Sequence, residues 1–390
     1  MNAQRNIRLL SIFNFLTDFD LFAPVAVIYF AKVAGSYTAA MSVFSIFMIS
    51  AAVFEVPTGI LSDKIGRKKT IILGSLASLA SALLLALGAH YSYLVASAVM
   101  VGLARAFYSG NNDAFLYDTL RDANKEKDYN EYLGKVSSFF QIALAVSALL
   151  GSILASISFS VLLWISVVPR LIKLAVSFLF LEPNSFQKTA TNIYAHAFDS
   201  LRAFFKNPRL RRLSLASIIS FSLEENAFQF APAFINSLWP LWAVGLSRML
   251  SNLGAAMSYY LSGKIVKRFN EKRVLVGGKL YSRILNLVAF GWPTVVSPLL
   301  LSLTSISFGT VEVTKNHLMQ KEFSDQQRAT MSSLNALAGS IGFAVASLAI
   351  GLSADRIGVT GTLLSIHLVL FSVVYIYWRL FKRPEYATSL

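Results

Sequence analysis

A small set of ionisable side chains stands inside long apolar runs, and these are the residues equipped for chemistry. Asp18 and Asp20 lie roughly 15–18 Å along a helix that opens near Arg8. Two residues apart, they point about 200° away from each other, so only one can face a central cavity; Asn14 shares a face with Asp18. Arg105 sits at similar depth in a later run, followed by Asn111, Asn112 and Asp113. Glu224, Glu225 and Arg248 occupy two further runs, and Glu312 and Lys315 lie one turn apart in another. Burial favours a neutral carboxyl, whereas a neighbouring guanidinium favours the carboxylate. A carboxylate moved between those surroundings takes up and releases a proton, and the candidates are Asp20, Asp113, Glu224 and Glu312. Asn112 and its neighbours suit hydrogen bonding to a polar solute. The plainer reading is that these charges form permanent ion pairs between helices.

Whether those positions are demanding depends on the solvent around the runs. The chain of 390 residues is 55% hydrophobic and only 14% charged. Its mean hydropathy is +0.58. A soluble domain carries about a quarter charged residues, so this chain suits lipid. The net charge of +15 is spread in short clusters between apolar runs, as in cytoplasmic loops, and does not suggest a nucleic-acid-binding face. The absence of cysteine excludes disulfides and thiolate chemistry. The first run is too long for a cleaved signal and reads as a span. His196 and His367 have no metal-ligand partner at helical spacing, and no cofactor motif, His-Asp pair or nucleophile elbow is present, so neither a metal nor an enzyme is expected. The phenylalanines read as packing and lipid-facing surface.

A span needs about 20 apolar residues, and twelve are expected: 9–31, 37–61, 70–89, 92–119, 132–156, 159–181, 211–235, 237–262, 273–291, 294–319, 328–353 and 360–380. The fold class is therefore all-α, with six-helix halves over 1–181 and 211–390 joined by a middle loop, 182–210. Basic residues gather in alternate loops: Arg5 and Arg8; Lys64, Arg67, Lys68 and Lys69; Arg121, Lys125 and Lys127; Lys188, Arg202, Lys206 and Arg209; Lys264, Lys267, Arg268, Lys272 and Arg273; Arg379, Lys382 and Arg383. Both termini are expected in the cytoplasm.

The halves carry a faint repeat. Leu61-Ser62-Asp63-Lys64-Ile65 recurs as Leu261-Ser262-Gly263-Lys264-Ile265, and Gly110 with Asp113 is matched by Gly309 with Glu312. Parallel six-helix repeats place a solute site near the midplane.

Gly59-Ile60-Leu61-Ser62-Asp63-Lys64-Ile65-Gly66-Arg67-Lys68-Lys69 resembles the loop 2–3 signature of the major facilitator superfamily. With the span count, middle loop and repeat, the resemblance covers the whole chain. Gly59 is expected to allow close helix approach, Gly66 a tight turn, and Asp63 a contact with a helix N-terminus. The resemblance implies a latch between the halves using Asp63 and Arg67, with Asp118 as the partner of Arg67. It also implies that spans one, four, seven and ten line the cavity, which suggests a pair between Arg105 and Asp18 or Asp20. Span six is an outer helix in that family, so Arg170 and Lys173 are expected to snorkel, with anion binding as the other reading.

Two signatures of relatives fit less well. Arg105 is followed by Gly110 at five residues where proton exchangers have four, and Ser109 stands in the expected place. The glycine-proline run of drug antiporters is replaced by Ser147-Ala148-Leu149-Leu150-Gly151-Ser152. The expected function is a proton-coupled secondary transporter working by alternating access, exporting a lipophilic or amphiphilic compound and resembling prokaryotic multidrug-efflux members. The alternatives are a symporter for a polar or anionic nutrient and, from another class, a membrane-embedded enzyme or a non-transporting sensor. Expected partners are a small solute, protons or another coupling ion, and lipid, with the monomer as the working unit in a prokaryotic inner membrane.

Overall fold

The protein is described by a computed structural model over residues 2–137, 140–183, 207–322 and 328–381. Lys188, His196, Arg202, Lys206, Lys382 and Arg383 lie outside the described residues. The described chain is helical and contains no strand. It forms two compact units, Met1–Ala190 with Leu241–Met249, and Thr191–Pro240 with Leu250–Leu390. Among the described residues, eight helical stretches are long and apolar enough to cross a membrane; Leu241–Gly291 and Ser332–Leu380, at 51 and 49 residues, are each long enough to cross twice. Large apolar side chains such as Ile157, Val345 and Trp292 lie open on the surface, as a lipid-facing surface requires.

Helix starts follow local chemistry. Ser36 Oγ accepts the Ala39 N–H at 3.1 Å, and Asn207 Oδ1 accepts those of Arg209 and Leu210 at 3.0 and 3.1 Å. Such side chains satisfy N–H groups that the helix itself leaves unpaired. Between Tyr37–Ile65, Arg67–Leu87 and Tyr91–Tyr108, small hydroxyl residues make the contacts: Ser81 and Ser97 lie 2.7 Å apart, and Ser42 and Tyr91 2.6 Å. The first unit's core packs Leu10, Phe13, Ile71, Phe115, Leu120 and Phe180 together.

Several expected spans are interrupted, among them the first, fourth, seventh and tenth. The first runs as Asn2–Asp18 and Ala26–Ala34, with Phe19–Phe22 outside either helix and a tight turn at Ala23–Val25. Pro24 explains the position, since its ring conflicts with the carbonyl four residues back, on Asp20, and it lacks an N–H. The fourth breaks between Tyr91–Tyr108 and Asn111–Asp122, where Gly110 adopts φ 68°. The seventh carries a π-helical turn at Phe221–Glu225, and the tenth a 3₁₀ turn at Ser305–Ser307. Gly110 and Gly309 therefore both adjoin the interruption of their helix.

The structure shifts the register of the other repeated segment. Leu261-Ser262-Gly263-Lys264-Ile265 lies inside the continuous Leu241–Lys272 helix, whose bend falls at Asn270 (φ 59°, ψ 163°). Gly66, at φ 98° and ψ 163°, is the matching corner of the first unit. The turn after the basic stretch thus repeats as Gly66-Arg67 and Asn270-Glu271, four residues out of step with the matched letters. Backbone conformation, not the matched letters, decides the corner.

Candidate functional site

At the start of Arg67–Leu87, Gly66 holds a backbone that residues with a Cβ rarely adopt. Arg67 then turns back on Tyr37–Ile65, with Nη1 donating to Ser62 Oγ at 2.8 Å and to Asp63 Oδ1 at 3.1 Å. Its Nε lies 3.6 Å from Asp118 Oδ2, and Arg121 approaches the other oxygen of Asp118 at 3.4 Å. Asn111, 4% exposed, accepts from Ser62 at 2.7 Å and donates to the Arg67 carbonyl at 3.2 Å.

Two expectations here are corrected. Glu182, which follows Phe159–Leu179, supplies the carboxylate at this helix N-terminus: it accepts the Arg67 and Lys68 N–H groups at 2.6 and 2.9 Å, while Asp63 meets the Arg67 side chain. Gly59 makes no close helix contact, since a Cβ there would meet nothing within 4 Å. The buried stripe of its helix runs through Thr58 and Ser62, and Gly59 points off that stripe.

The second unit builds the same corner with its charges exchanged. Glu271, one residue past the bend, lies 3.6 Å from His317 Nε2 and 3.3 Å from Lys321 Nζ on Phe308–Glu322. In the first unit the turn supplies the cation and the fourth span the carboxylate; in the second the turn supplies the carboxylate.

The break in the first span is held by side chains. Asp20 Oδ1 accepts from Phe22 N and Ala23 N at 3.0 and 3.3 Å, capping the resumed helix, and its Oδ2 lies 2.9 Å from Arg170 Nη2. Arg170 Nη1 donates to the Phe19 carbonyl at 3.3 Å and approaches that of Leu16 at 3.5 Å. Gly151 lets Phe140–Ile157 meet the broken backbone: a Cβ there would overlap the Leu21 carbonyl. The aspartate partner is thus Arg170 instead of the expected Arg105. Arg105 is exposed, with its guanidinium 5.5 Å from the Phe47 ring and 3.9 Å from Met48 Sδ.

Nor does Lys173 snorkel. It is 2% exposed, donates to Ser78 Oγ at 2.9 Å, and lies 4.9 Å from the Tyr108 ring centroid. Asp18 is within electrostatic range of both Lys173 and Arg170. Among the other candidates, Asn112 keeps a buried Oδ1 without a partner among the described residues, and Asp113 is exposed in the first turn of its helix. Ser109 Oγ, at the fourth-span break, lies 3.3 Å from Glu55 Oε1.

In the second unit the π turn presents Glu224 to Gly278–Gly291. Lys279 Nζ donates to both its oxygens, at 2.7 and 2.6 Å, and Arg283 Nη2 donates at 3.1 Å. Arg283 Nη1 lies 2.8 Å from His367 Nδ1. A guanidinium only donates, so this nitrogen of His367 accepts and the ring proton resides on Nε2. Glu225 takes a bond from Gln229 at 2.9 Å, and Lys315 pairs with Glu312 at 2.5 Å. Arg248, in the Leu241–Met249 segment of the first unit, is buried at 6% exposure. Lys279, Arg283 and Glu182 were missed in the sequence. The first two are cations four residues apart inside an apolar run, the same signal that marked Glu312 and Lys315, but they follow the basic residues Lys272 and Arg273 and merged with them.

The arrangement pairs three carboxylates, Asp20, Glu224 and Glu312, with cations on interrupted helices. Solved structures share the fold. A single-residue variant of the nucleoside transporter NupG superposes with a TM-score of 0.82 at 16% identity, covering 96% of this chain and all of that one. A D-xylose-proton symporter does so at 0.77 and 14% identity, covering 97% of each. In sequence, the chain is similar to the inner membrane transport protein YajR of Escherichia coli (strain K12), 23% identical over 308 residues, which span 77% of this chain and 66% of that protein. The family model for the Major Facilitator Superfamily matches residues 9–347. The chain is a multi-pass membrane protein and belongs to the Major Facilitator Superfamily.

Proposed function

We propose that the protein is a proton-coupled secondary transporter of a small polar solute, working by alternating access in a prokaryotic inner membrane, with twelve crossings and both termini cytoplasmic. The relatives named above include a nucleoside transporter, a xylose-proton symporter and an inner membrane transport protein, which agrees with this setting. The observation that carries the reading is the pairing of carboxylates with cations at membrane depth: Asp20 with Arg170, Glu224 with Lys279 and Arg283, and Glu312 with Lys315. A carboxylate held ionised by a cation becomes protonated when that cation moves away, so a change of conformation captures or releases a proton. Polar groups on interrupted helices favour a polar solute over the amphiphilic cargo first expected, although Arg105 beside Phe47 and Met48 keeps an amphiphile among the cargoes to test.

The experiment reconstitutes the full chain in liposomes containing a pH-sensitive dye. Uridine, xylose, glucuronate and a lipophilic cation are each added under an imposed pH gradient. Solute-evoked proton movement that is absent from empty liposomes and lost in Glu224→Gln supports the reading. No evoked movement with any of the four, in protein whose fold is verified, removes it.

A further inference from the structure

The cluster around Glu224 carries more positive charge than its one carboxylate balances. Lys279 and Arg283 both bond it, and His367 is neutral because its Nδ1 accepts from Arg283. Lys315, the other cation within electrostatic range of Glu224, is matched by Glu312. Among the described residues one positive charge is left over. Two polar groups in the same cluster have no partner among the described residues: Arg283 Nε and the hydroxyl of Tyr377, whose residue is fully buried within electrostatic range of Glu224 and Glu312. A buried charge without a counter-ion is strongly unfavourable, and unpaired buried donors add to that penalty. Unmatched charge and unmatched donors at one place describe a site shaped for an acceptor that carries negative charge.

Resting on the transport reading above, we propose that this cluster binds the anionic group of the solute, a carboxylate or phosphate, and that Glu224 occupies its place in the empty site. Glu224 has the geometry of such a surrogate, since each of its oxygens takes a lysine bond and one also takes the arginine. At 19% side-chain exposure it is also more accessible than Lys279 at 8% or Arg283 at 5%. When Glu224 takes a proton from water it gives up its negative charge, and Lys279 and Arg283 are free to hold one external anion. A dianion entering with that proton balances both cations, and a monoanion leaves the surplus as it was. The groups facing Glu224 during this exchange are Lys279 and Arg283 on one helix, Lys315 with Glu312 on another, and His367 and Tyr377 from the last two helices, with Ser220 3.5 Å from Lys279.

The test is equilibrium binding to the purified full chain in detergent, with acetate and inorganic phosphate as separate probes at constant ionic strength, read by tryptophan fluorescence and thermal shift. Removing the internal competitor in Glu224→Gln raises the affinity for at least one probe tenfold or more. The gain disappears in Glu224→Gln combined with Lys279→Gln and Arg283→Gln. The probe that gains tells a carboxylate site from a phosphate site. If Glu224→Gln does not extract as folded protein, rescue of its yield by acetate or phosphate during extraction is the readout. Equal affinities in wild type and Glu224→Gln for both probes, a gain that survives loss of both cations, or an unrescued variant would each overturn the proposal. This test measures binding alone, so proton movement evoked in the liposome assay without any gain in anion binding here overturns this proposal and leaves the transport reading in place.

Discussion

Arg170→Met tests whether the break in the first span is held from outside its own helix. The guanidinium makes a 2.9 Å ion pair with Asp20 and a 3.3 Å bond to the Phe19 carbonyl; the 3.5 Å approach to Leu16 is too long to count for much. The Asp20 side chain is 36% exposed, which weakens the pair toward the surface range of about 1 kcal/mol. The Phe19 carbonyl lies where the helix no longer supplies a donor. Leaving such a group unpaired costs about 1–3 kcal/mol. Methionine keeps most of the buried stem, so packing changes little. The sum is a loss of about 2–4 kcal/mol, which lowers the apparent Tm by roughly 4–16 °C for units of this size. Thermal unfolding of the purified variant in mild detergent measures it. Asp20→Asn removes only the pair and should lose about 1 kcal/mol. With Arg170 already gone, it should lose less still. A shift under 2 °C for Arg170→Met, or the same shift for both variants, would refute the view that the arginine satisfies the broken backbone.

Three further outcomes follow from other contacts. Asn226→Ala removes a fully buried side chain that donates to the Ser222 and Phe343 carbonyls at 2.7 and 3.0 Å and accepts from Ser347. It should cost about 2–4 kcal/mol in thermal unfolding, whereas Ser237→Ala, which loses one local bond at 2.7 Å, should cost under about 1 kcal/mol. Glu182→Gln weakens the cap on Arg67 and Lys68 and should lose about 1 kcal/mol, with faster amide exchange confined to the first turn of Arg67–Leu87. Gly151→Val forces the first-span break away from Phe140–Ile157, because even a Cβ overlaps the Leu21 carbonyl; reduced folded yield, or loss of Arg170–Asp20 coupling in a double-mutant cycle, is the expected result.

Much of the architecture was legible because lipid leaves few options. Apolar runs of about 20 residues have to be helices, and the basic clusters between them mark the turns. Gly66 and Arg67 stood out because a positive φ followed by a cation is a local requirement, written within a few letters. The helix interruptions were less visible. Pro24 was a signal for the first, since its consequence falls four residues earlier on Asp20, but the π turn at Phe221–Glu225 has no comparable marker in its residues. Partner choice was least legible. Arg170 and Arg105 look alike in the sequence as single arginines in apolar runs; which of them reaches Asp20 depends on how Phe159–Leu179 packs beside Asn2–Asp18. The same holds for Lys173, whose burial against Ser78 and Tyr108 reverses the expectation that a long basic side chain reaches for water.

The interruptions and the charges belong to one design constraint. An unbroken helix satisfies its own backbone and needs no polar side chain in lipid; a broken one exposes carbonyl and amide groups that something must bond. In the first span that service falls to Asp20 and Arg170, which close both sides of the gap left before Pro24. In the seventh the π turn keeps the chain helical and redirects one residue, Glu224, which then requires Lys279 and Arg283. The first unit's pair is largely committed to backbone repair, whereas the second unit's cluster repairs nothing and retains a positive charge and two unpaired donors. Structural need therefore accounts for Asp20 and Arg170 and leaves the Glu224 cluster unexplained, and it is in that cluster that exchange of proton and solute should be sought first.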